Sequence, residues 1–296
     1  MNKKILIVGM GFLGNYVLRE FKNKGFNVIG TRLSINDNVM KLDITDVESV
    51  EKCVNQTNPD LIINCAANIN LEFLEKNPQI GKSINAIGPR NLAKIASKNK
   101  IRLIHISTDS IFDGNNSMYT EEDIPNPINE YGKTKLLGEK YIQDSMKDYV
   151  ILRTNFFGIN DKGTWLLNWI IEKLSQKEEI TGFDDVIFNP LEISNLSKII
   201  VEISQSSFVG ILHLSSNKLI SKYEFIMKVA DIFNFDKKLI KKGTLKDMNF
   251  IALRPKNTTL YNKKAEKIIK TKIQTINESL IRIKNDFKLS NSERKW

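Results

Sequence analysis

The 296-residue chain has few cysteines, few histidines and no long apolar run. Its two cysteines, Cys53 and Cys65, cannot cross-link a chain of this size, so a reducing, cytoplasmic setting is expected. The two histidines, His105 and His213, lie far apart in sequence, so no metal site is expected. No apolar run reaches the ~18–20 residues of a membrane span, and no membrane partner is expected. The apolar start, residues 5–8, is too short for a signal peptide.

The charge balance is basic, with 44 Lys and Arg residues against 34 Asp and Glu residues and a formal net charge of +10. Such a balance raises the question of a nucleic-acid partner. The basic residues are nevertheless spread along the chain, without zinc-finger spacing or an aromatic RNA-binding strand. We therefore interpret the surplus mainly as a solvated surface, with an anionic small molecule as the next interpretation and no nucleic-acid partner expected.

Short apolar runs of β type alternate with segments of helical periodicity through the first half of the chain. The predicted strands are residues 4–8, 27–31, 40–43, 61–66, 103–107 and 149–153, and the predicted helices are residues 13–24, 47–57, 84–98 and 131–146. Strands rich in Ile, Val and Leu without clean alternation are buried on both faces, as in a parallel sheet between helix layers. The pattern predicts an α/β fold with a doubly wound parallel sheet of the Rossmann type.

The pattern loosens after residue 157, and a smaller C-terminal domain is expected there. Predicted helices are residues 164–175, 194–204, 222–233, 262–269 and 274–287; residues 182–190 look irregular, 210–215 form a strand, and 237–256 show weak periodicity. We therefore predict one domain over residues 1–157 and a second over residues 158–296. Segments near residues 190–216 are expected to return to the sheet of the first domain.

A glycine-rich string, Gly9-Met10-Gly11-Phe12-Leu13-Gly14, follows the first predicted strand and opens the first predicted helix. In a dinucleotide-binding loop, Gly9 would permit the tight turn, Gly11 would let the backbone approach a pyrophosphate, and Gly14 would allow close packing of helix on strand. The competing interpretation is a glycine turn with no ligand. The position in a βαβ unit favours a dinucleotide cofactor that also contacts Phe12 and Leu13.

The ends of the second and third strands bear on which dinucleotide binds. An acid usually ends the second strand of domains that prefer NAD, but this strand ends at Arg32, which can pair with a 2′-phosphate. We therefore expect NADPH, with NADH as the alternative, although Arg32 could also be a surface residue. Asp43, followed by Ile44, could accept a hydrogen bond from adenine. Its rival role is to cap the next helix, a position that Asp46 suits better.

Tyr131 and Lys135 stand on one face of a predicted helix at i and i+4. A lysine ammonium in this position is expected to lower the pKa of the tyrosine by favouring phenolate, and to hydrogen-bond a cofactor ribose. Such a tyrosine can give or take a proton while a hydride moves to or from a carbonyl carbon. The pair therefore indicates an oxidoreductase, although surface helices also carry such pairs by chance.

The fifth predicted strand ends in a group of polar residues, Ser107, Thr108 and Asp109. They fall at the carboxyl edge of the sheet, where open α/β folds bind ligands. Thr108 is the expected donor to a substrate oxygen, with the cap of a turn as its alternative role. Ser107 is the competing hydroxyl, and Asp109 is expected to orient the pocket or to bind sugar hydroxyls.

Four strings together resemble the dTDP-4-dehydrorhamnose reductase family, within the extended short-chain dehydrogenase/reductase superfamily. They are residues 107–114 (STDSIFDG), 129–139 (NEYGKTKLLGE), 153–158 (RTNFFG) and 253–258 (LRPKNT). The resemblance extends from residue 5 to about residue 269, nearly the whole chain. The chain departs from the family pattern at Ser110, where an aromatic is usual, and at Phe156, where the rhamnose enzymes tend to carry tryptophan. The first two glycines of its loop are also spaced differently from those of extended members.

The resemblance implies a reductase that turns the 4-keto group of a nucleotide-activated deoxysugar into an alcohol with NAD(P)H, in polysaccharide or glycan precursor synthesis. It implies that Thr108 and Tyr131 hold the keto oxygen, that Tyr131 supplies the proton, and that Lys135 supports Tyr131 and the nicotinamide ribose. The remaining residues that it assigns are Ala66, Ala67 and Asn68 along the cofactor, Asn85 as a structural or proton-relay residue, and Asp109, Asn155, Phe156 and Arg254 at the substrate. Residues 158–296 would then be mainly a substrate-binding domain.

Alternative functions stay open on the same scaffold. A nucleotide-sugar epimerase, a dehydratase or a bifunctional epimerase/reductase would use the same Tyr/Lys pair, although the single acid Asp109 disfavours the dehydratase. The family also resembles a regulatory subunit of methionine adenosyltransferase, which would bind NADP without catalysis. The expected partner is a nucleotide sugar, and a homodimer is the oligomeric state left open.

Overall fold

The computed structural model of the protein describes residues 3–34, 39–160 and 165–293, with side chains in the last helix described as far as Asp286. Its strands are β1 (Lys4–Val8), β2 (Asn27–Arg32), β3 (Met40–Lys41), β4 (Leu61–Asn64), β5 (Arg102–Thr108), β6 (Tyr149–Thr154), β7 (Phe156–Phe157), β8 (Ile180–Phe183), β9 (Ile187–Phe188), β10 (Leu191–Glu192), β11 (Gly210–Leu214), β12 (Ile220–Ser221) and β13 (Ile240–Gly243).

Its helices are α1 (Phe12–Asn23), α2 (Val47–Thr57), α3 (Leu71–Lys76), α4 (Pro78–Lys82), α5 (Gly88–Lys98), α6 (Glu130–Ser145), α7 (Leu166–Ser175), α8 (Ile193–Ser204), α9 (Lys222–Phe233), α10 (Lys263–Ile268) and α11 (Ile276–Glu293). A π turn, Ser83–Ile87, joins α4 to α5, and short 3₁₀ turns lie at Asp109–Ile111, Lys237–Leu239 and Leu245–Asp247.

Seven strands form one sheet in the order β11-β6-β5-β4-β1-β2-β3. All of its neighbouring pairs are parallel. The strand order reverses between β1 and β4, and open parallel sheets bind ligands in the crevice outside such a reversal. The doubly wound α/β fold predicted from the sequence is therefore confirmed, and β11 extends the sheet beyond β6.

Helices cover both faces of the sheet. Alternate residues of β1 point to opposite sides: Ile5 and Ile7 pack in the cluster that holds α1 and α8, whereas Leu6 and Val8 pack in the cluster that holds α2, α5 and α6. This alternation follows from the two-residue repeat of a strand, and it buries all four side chains. The helix layers thus fix the carboxyl edge of the sheet and the loops that leave it.

A separate apolar cluster holds the C-terminal half together. Helices α7, α9 and α11 and strands β8, β9 and β13 contribute to it. Phe225 of α9 packs edge-on against Phe157 and Phe188, with ring centroids 5.2 and 5.6 Å away. Within the described residues no helix is long and apolar enough to cross a membrane. The division into two domains at residue 157 stays a prediction.

Some local predictions were wrong. Helices α3 and α4 occupy residues 71–82, where none was predicted, and short strands cross the supposedly irregular residues 182–190. The third strand keeps only two of its four predicted residues. Elements of two to six residues are too short to show a hydrophobic period in the sequence. The short strands among them form only where a strand distant in sequence lies beside them. The predicted start of one helix, Thr164, lies outside the described residues.

Candidate active site

The glycine loop has the geometry that its three glycines predict. Gly9 has a φ of +89°, and a Cβ there would lie 2.6 Å from the Ala66 backbone. A Cβ on Gly14 would lie 2.2 Å from the Gly9 carbonyl oxygen. Gly11, by contrast, faces open space, with no atom within 4 Å of its would-be Cβ. The loop therefore needs Gly9 and Gly14 for its own folding, and Gly11 leaves room for a ligand.

A cleft of about 1240 Å³ opens over this loop at the carboxyl edge of the sheet. It is lined by Gly9, Gly11 and Phe12 of the loop, by Arg32, Asp43 and Ile44 beyond the next strands, by Ala66, Ala67 and Asn68 after β4, and by Trp165. Helix α1 points its N-terminus here with no acidic residue in its first turn, which suits a phosphate. The side chain of Leu13 is instead buried in the apolar core, so only its backbone could meet a cofactor.

The two residues expected to select the dinucleotide both lie at the cleft. Arg32 donates from Nε to the carbonyl of Met10 (2.7 Å), which ties its side chain to the glycine loop. Asp43 accepts hydrogen bonds from the backbone and hydroxyl of Thr45 (2.9 and 2.7 Å). Asp46 caps α2 by accepting from the Glu48 backbone (3.0 Å). The capping role therefore belongs to Asp46, as the sequence favoured, and Asp43 stays available at the cleft wall.

Asn85 holds the loop that lines the cleft after β4. It lies fully buried in the π turn before α5. Its Oδ1 accepts from the backbone of Asn68 (2.9 Å), and its Nδ2 donates to the Asn68 carbonyl (2.9 Å) and to Thr134 (3.3 Å). Single π turns occur often at functional sites. Here the turn gives Asn85 a structural role.

The end of β5 separates the two candidate hydroxyls. Ser107 donates to Glu139, which forms a buried ion pair with Arg153 (2.7 Å). Thr108 lies on the opposite side of the strand, where its hydroxyl accepts from the Ser110 backbone (3.1 Å) and donates to Oδ1 of Asp109 (3.2 Å). The same hydroxyl lowers the pKa of Tyr131, so Thr108 caps a turn and also acts on the tyrosine.

Tyr131 and Lys135 share a helix face, and burial dominates the pKa of Tyr131. Burial raises the pKa of Tyr131 to about 12; Asp109 also raises it, and the Thr108 hydroxyl lowers it. Lys135 is not among the groups that shift the pKa of Tyr131. Its ammonium nitrogen turns instead to β5, where it lies 2.6 Å from the Ile106 carbonyl. The net shift of the tyrosine pKa is therefore upward and set by burial, and the stabilisation of a phenolate by Lys135 stays a prediction.

Burial also determines the pKa of Lys135. Its side chain is only 2% exposed. This burial lowers the pKa of Lys135 to about 8, although the carboxylate of Glu139 acts in the opposite direction. A lysine in this environment can exchange a proton near neutral pH, which an exposed lysine does not.

Asp109 is the centre of a polar group beside Tyr131. It is 2% exposed, and its Oδ2 accepts from Asn155 (2.8 Å) and Thr258 (2.6 Å). Lys222, the first residue of α9, interacts electrostatically with Asp109, and burial lowers the pKa of Lys222 to about 8. The sequence analysis missed Lys222, because it belongs to no motif and lies far from Asp109 in sequence.

Phe156 lies with the glycine loop rather than with Asp109. Its ring centroid is 6.1 Å from Phe12 and 5.8 Å from Trp165, and Phe12 and Trp165 are 4.7 Å apart. The structure thus groups Phe156 with aromatics that border the cofactor cleft, although the sequence assigned it to the substrate. Trp165 was also missed, since no motif surrounds it.

Arg254 is not among the residues that line the cleft over the glycine loop. It forms an ion pair with Glu72 of α3 (2.7 Å), and its guanidinium lies 4.8 Å from the Phe250 ring. Its Nη1 is buried without a hydrogen-bond partner among the described residues. Burial lowers the pKa of Arg254, whereas Glu72 raises it. An unpartnered guanidinium nitrogen fits the anionic substrate expected here.

The described residues hold no cluster of three or more His, Cys, Asp or Glu side chains arranged to bind a metal ion.

Comparisons with known proteins identify a matching family model and similar proteins. A family model described as RmlD substrate binding domain matches residues 3–289. The probable low-salt glycan biosynthesis reductase of Haloferax volcanii is 30% identical, over 84% of this chain and 86% of its own length. The methionine adenosyltransferase 2 subunit beta of Rattus norvegicus is also 30% identical, over 90% of this chain and 82% of its own length.

The fold has a close counterpart among solved structures. The dTDP-4-dehydrorhamnose reductase of Bacillus anthracis, solved in complex with NADP, superimposes with a TM-score of 0.88. It is 27% identical in sequence, and the match covers 97% of this chain and all of the other.

Proposed function

This chain belongs to the RmlD substrate binding domain family, and from that membership we propose that it reduces the 4-keto group of a nucleotide-activated deoxysugar to an alcohol with NADPH. Family membership and the NADP-bound neighbour assign the chain to the NAD(P)H-dependent oxidoreductases. The sugar substrate and the roles of the individual residues are the proposed part.

One observation carries the proposal. The Thr108 hydroxyl, at the carboxyl end of β5, lowers the pKa of the Tyr131 phenol, and the cleft over the glycine loop opens at the same edge of the sheet. A keto oxygen placed against both hydroxyls would accept two hydrogen bonds and have a proton donor in reach. Because burial raises the pKa of Tyr131 to about 12, the phenol is protonated at neutral pH, as an acid for reduction must be.

The cleft also fits the cofactor. Gly11 leaves open space at the N-terminus of α1, where backbone amides can meet a pyrophosphate. Arg32 and Asp43 line one part of the cleft and would flank the adenosine half, and Ala66 and Asn68 line the same cleft. The bound nicotinamide would supply the hydride. The protein supplies orientation, a protonated phenol and exclusion of water.

Each remaining residue then has a defined task. Thr108 orients the keto oxygen, and Tyr131 gives it the proton. Asp109, held by Asn155 and Thr258, has Oδ2 hydrogen-bonded and lies in the field of the Lys222 ammonium. The unpartnered nitrogen of Arg254 would bind the anionic part of the substrate.

A second candidate is a subunit that binds NADP without catalysis. The 30% identity to the methionine adenosyltransferase 2 subunit beta of Rattus norvegicus favours it. Retention of Thr108, Tyr131 and Lys135 in hydrogen-bonding positions argues for catalysis, because a purely structural subunit has no need of them.

A panel of nucleotide 4-keto-6-deoxysugars tests the proposal. Purified protein, NADPH and each sugar are mixed, and the loss of reduced-nicotinamide absorbance is followed. We expect turnover with at least one sugar and an alcohol product by mass spectrometry. Tight NADPH binding with no oxidation across the panel would favour the subunit, and isomerised sugar without net oxidation would favour an epimerase.

A further inference from the structure

A buried chain of hydrogen bonds runs from the loop after β4 to Lys135. The backbone N–H of Ala66 donates to Oδ1 of Asn64 (3.0 Å). Nδ2 of Asn64 lies 3.0 Å from Nδ1 of His105, and Nε2 of His105 lies 3.2 Å from Nζ of Lys135. Nζ in turn donates to the carbonyl of Ile106 (2.6 Å). Asn64 and His105 are fully buried, and no part of the proposed reaction uses either one.

The hydrogen bond from Ala66 to Asn64 determines which group donates and which accepts in every later hydrogen bond of the series. A backbone N–H can only donate, so the oxygen of the Asn64 amide must face Ala66 and its NH₂ must face His105. Nδ1 of His105 therefore accepts, and the proton of the neutral ring sits on Nε2. This N–H points at Lys135. A neutral amine can accept it with its lone pair and still donate to Ile106.

Every assignment with a charged lysine leaves two donors facing each other. With the proton on Nε2 of His105, the clash is at the ammonium of Lys135, 3.2 Å away. With the proton on Nδ1, the clash moves to the NH₂ of Asn64, 3.0 Å away. If the amide then rotates, the clash moves to the backbone N–H of Ala66, also 3.0 Å away. A buried contact between two donors is costly, because neither can turn to water.

We propose that Asn64 and His105 are positioning residues that favour the neutral amine of Lys135 by fixing a ring N–H against it. The lysine thereby becomes a group that takes up and releases a proton in the working pH range, rather than a permanent cation. Its catalytic consequence rests on the proposed reductase function, whereas its structural content does not.

The other charged groups around Lys135 compete with this effect. Glu139, four residues along α6, favours the ammonium, but its carboxylate is already paired with Arg153 of β6 and hydrogen-bonded by Ser107. Cys65, next to the cleft, also favours the ammonium. Burial outweighs both and lowers the pKa of Lys135 to about 8. The pKa of His105 is itself held well below its usual value, chiefly by burial, which excludes an imidazolium.

The proposal predicts in which direction the rate of reduction changes with pH. When Tyr131 gives its proton to the keto oxygen, a phenolate forms, and an ammonium at Lys135 would stabilise it. Reduction should therefore slow as rising pH removes the proton from Lys135. The pH at which this occurs is set by Asn64 and His105.

Nitrogen NMR tests the tautomer directly, because the chain has only two histidines. His213 serves as an internal reference: its Nδ1 faces the Tyr119 carbonyl (3.0 Å) and its Nε2 faces the Arg153 guanidinium (3.3 Å), so it must carry the proton on Nδ1. A long-range ¹H–¹⁵N spectrum of the ¹⁵N-labelled protein, recorded above the pH of about 8 at which Lys135 loses its proton, should show one histidine of each tautomer. Two Nδ1–H histidines, or a charged His105, would overturn the proposal.

The variant Asn64→Asp should reverse the donor and acceptor roles along the hydrogen bonds from Asn64 to Lys135, while the side chain at position 64 keeps its shape. A carboxylate accepts from both sides, so His105 should move its proton to Nδ1 and accept from the Lys135 ammonium through Nε2. We expect two Nδ1–H histidines. The pH midpoint at which the His105 signals respond to Lys135 should rise by about one unit or more, and the high-pH limb of kcat should move with it. An unchanged His105 tautomer or an unchanged midpoint would refute the mechanism.

Two control variants separate the effect of Asn64 on His105 and Lys135 from the general effect of an added negative charge. Asn99→Asp makes the same isosteric change at the exposed C-terminal end of α5, away from the hydrogen bonds that join Ala66 to Lys135. It should leave both histidine tautomers and the pH midpoint of the His105 signals unchanged. Lys135→Met should abolish the response of His105 to pH. If Asn64→Asp does not fold, the wild-type spectrum still decides the tautomer. Expected spectra in a protein that reduces none of the keto sugars would refute the proposed function and leave this inference standing.

Discussion

Gly11 and Gly14 lie in one loop, but replacing each with alanine should have opposite effects. In Gly14→Ala the new methyl would lie 2.2 Å from the Gly9 carbonyl oxygen. That oxygen belongs to the backbone of the turn and cannot rotate away. Alanine gains about 1 kcal/mol over glycine inside a helix, whereas overpacking of this kind costs about 3 kcal/mol at its upper range. We expect the free energy of unfolding in urea to fall by about 2 kcal/mol.

Gly11→Ala is the matched control. No atom lies within 4 Å of the new methyl, and the φ of −88° is ordinary for alanine. The free energy of unfolding should change by less than about 1 kcal/mol, while the Kd for NADPH should rise about tenfold or more, because the methyl occupies the place of the pyrophosphate. Wild-type NADPH affinity in Gly11→Ala, or wild-type stability in Gly14→Ala, would refute this account of the loop.

Three further predictions concern charge. Arg32→Ala should weaken NADPH about tenfold more than NADH, by titration of each nucleotide; an equal loss would remove Arg32 from cofactor selection. Lys222→Met should lower kcat/KM for the keto sugar about tenfold with NADPH affinity unchanged, and an unchanged kcat/KM would place Lys222 outside the site. Burial lowers the pKa of His213 from 6.5 to about 3 and also lowers that of His105. The unfolded chain therefore binds more protons than the folded chain below pH 6.5. As the pH falls, each histidine should lower the free energy of unfolding by up to about 1.4 kcal/mol per pH unit. Urea titrations between pH 7 and 5 that give one constant free energy would contradict this.

Much of the sheet and the loop could be predicted from local sequence. Six strands and the helices between them follow from runs of Ile, Val and Leu that alternate with helical periodicity. The glycine spacing likewise predicts where the backbone must turn, where it must pack and where it must stay open, as Gly9, Gly14 and Gly11 show. The separation of Ser107 from Thr108 also follows from position, because adjacent strand residues face opposite sides.

The parts that could not be predicted depend on contacts between distant segments. Lys222 interacts electrostatically with Asp109, which is far away in sequence, so no local pattern could indicate the pair. Phe156 lies beside Phe12 for a similar reason, since β7 follows β6 back towards the glycine loop. The environment of Lys135 could not be predicted, because its i+4 spacing to Tyr131 says nothing about the Ile106 carbonyl to which the side chain turns. Helices α3 and α4 were missed since each is too short to show a period.

The most direct test of the central claim is the turnover of Tyr131→Phe with NADPH and a keto sugar that the wild-type protein reduces. The substitution removes only the phenolic hydroxyl of Tyr131. We expect the Kd for NADPH to stay within about twofold of wild type and kcat to fall by about 100-fold or more, as loss of a general acid requires. Wild-type kcat in this variant would contradict the assignment of Tyr131 as the proton donor.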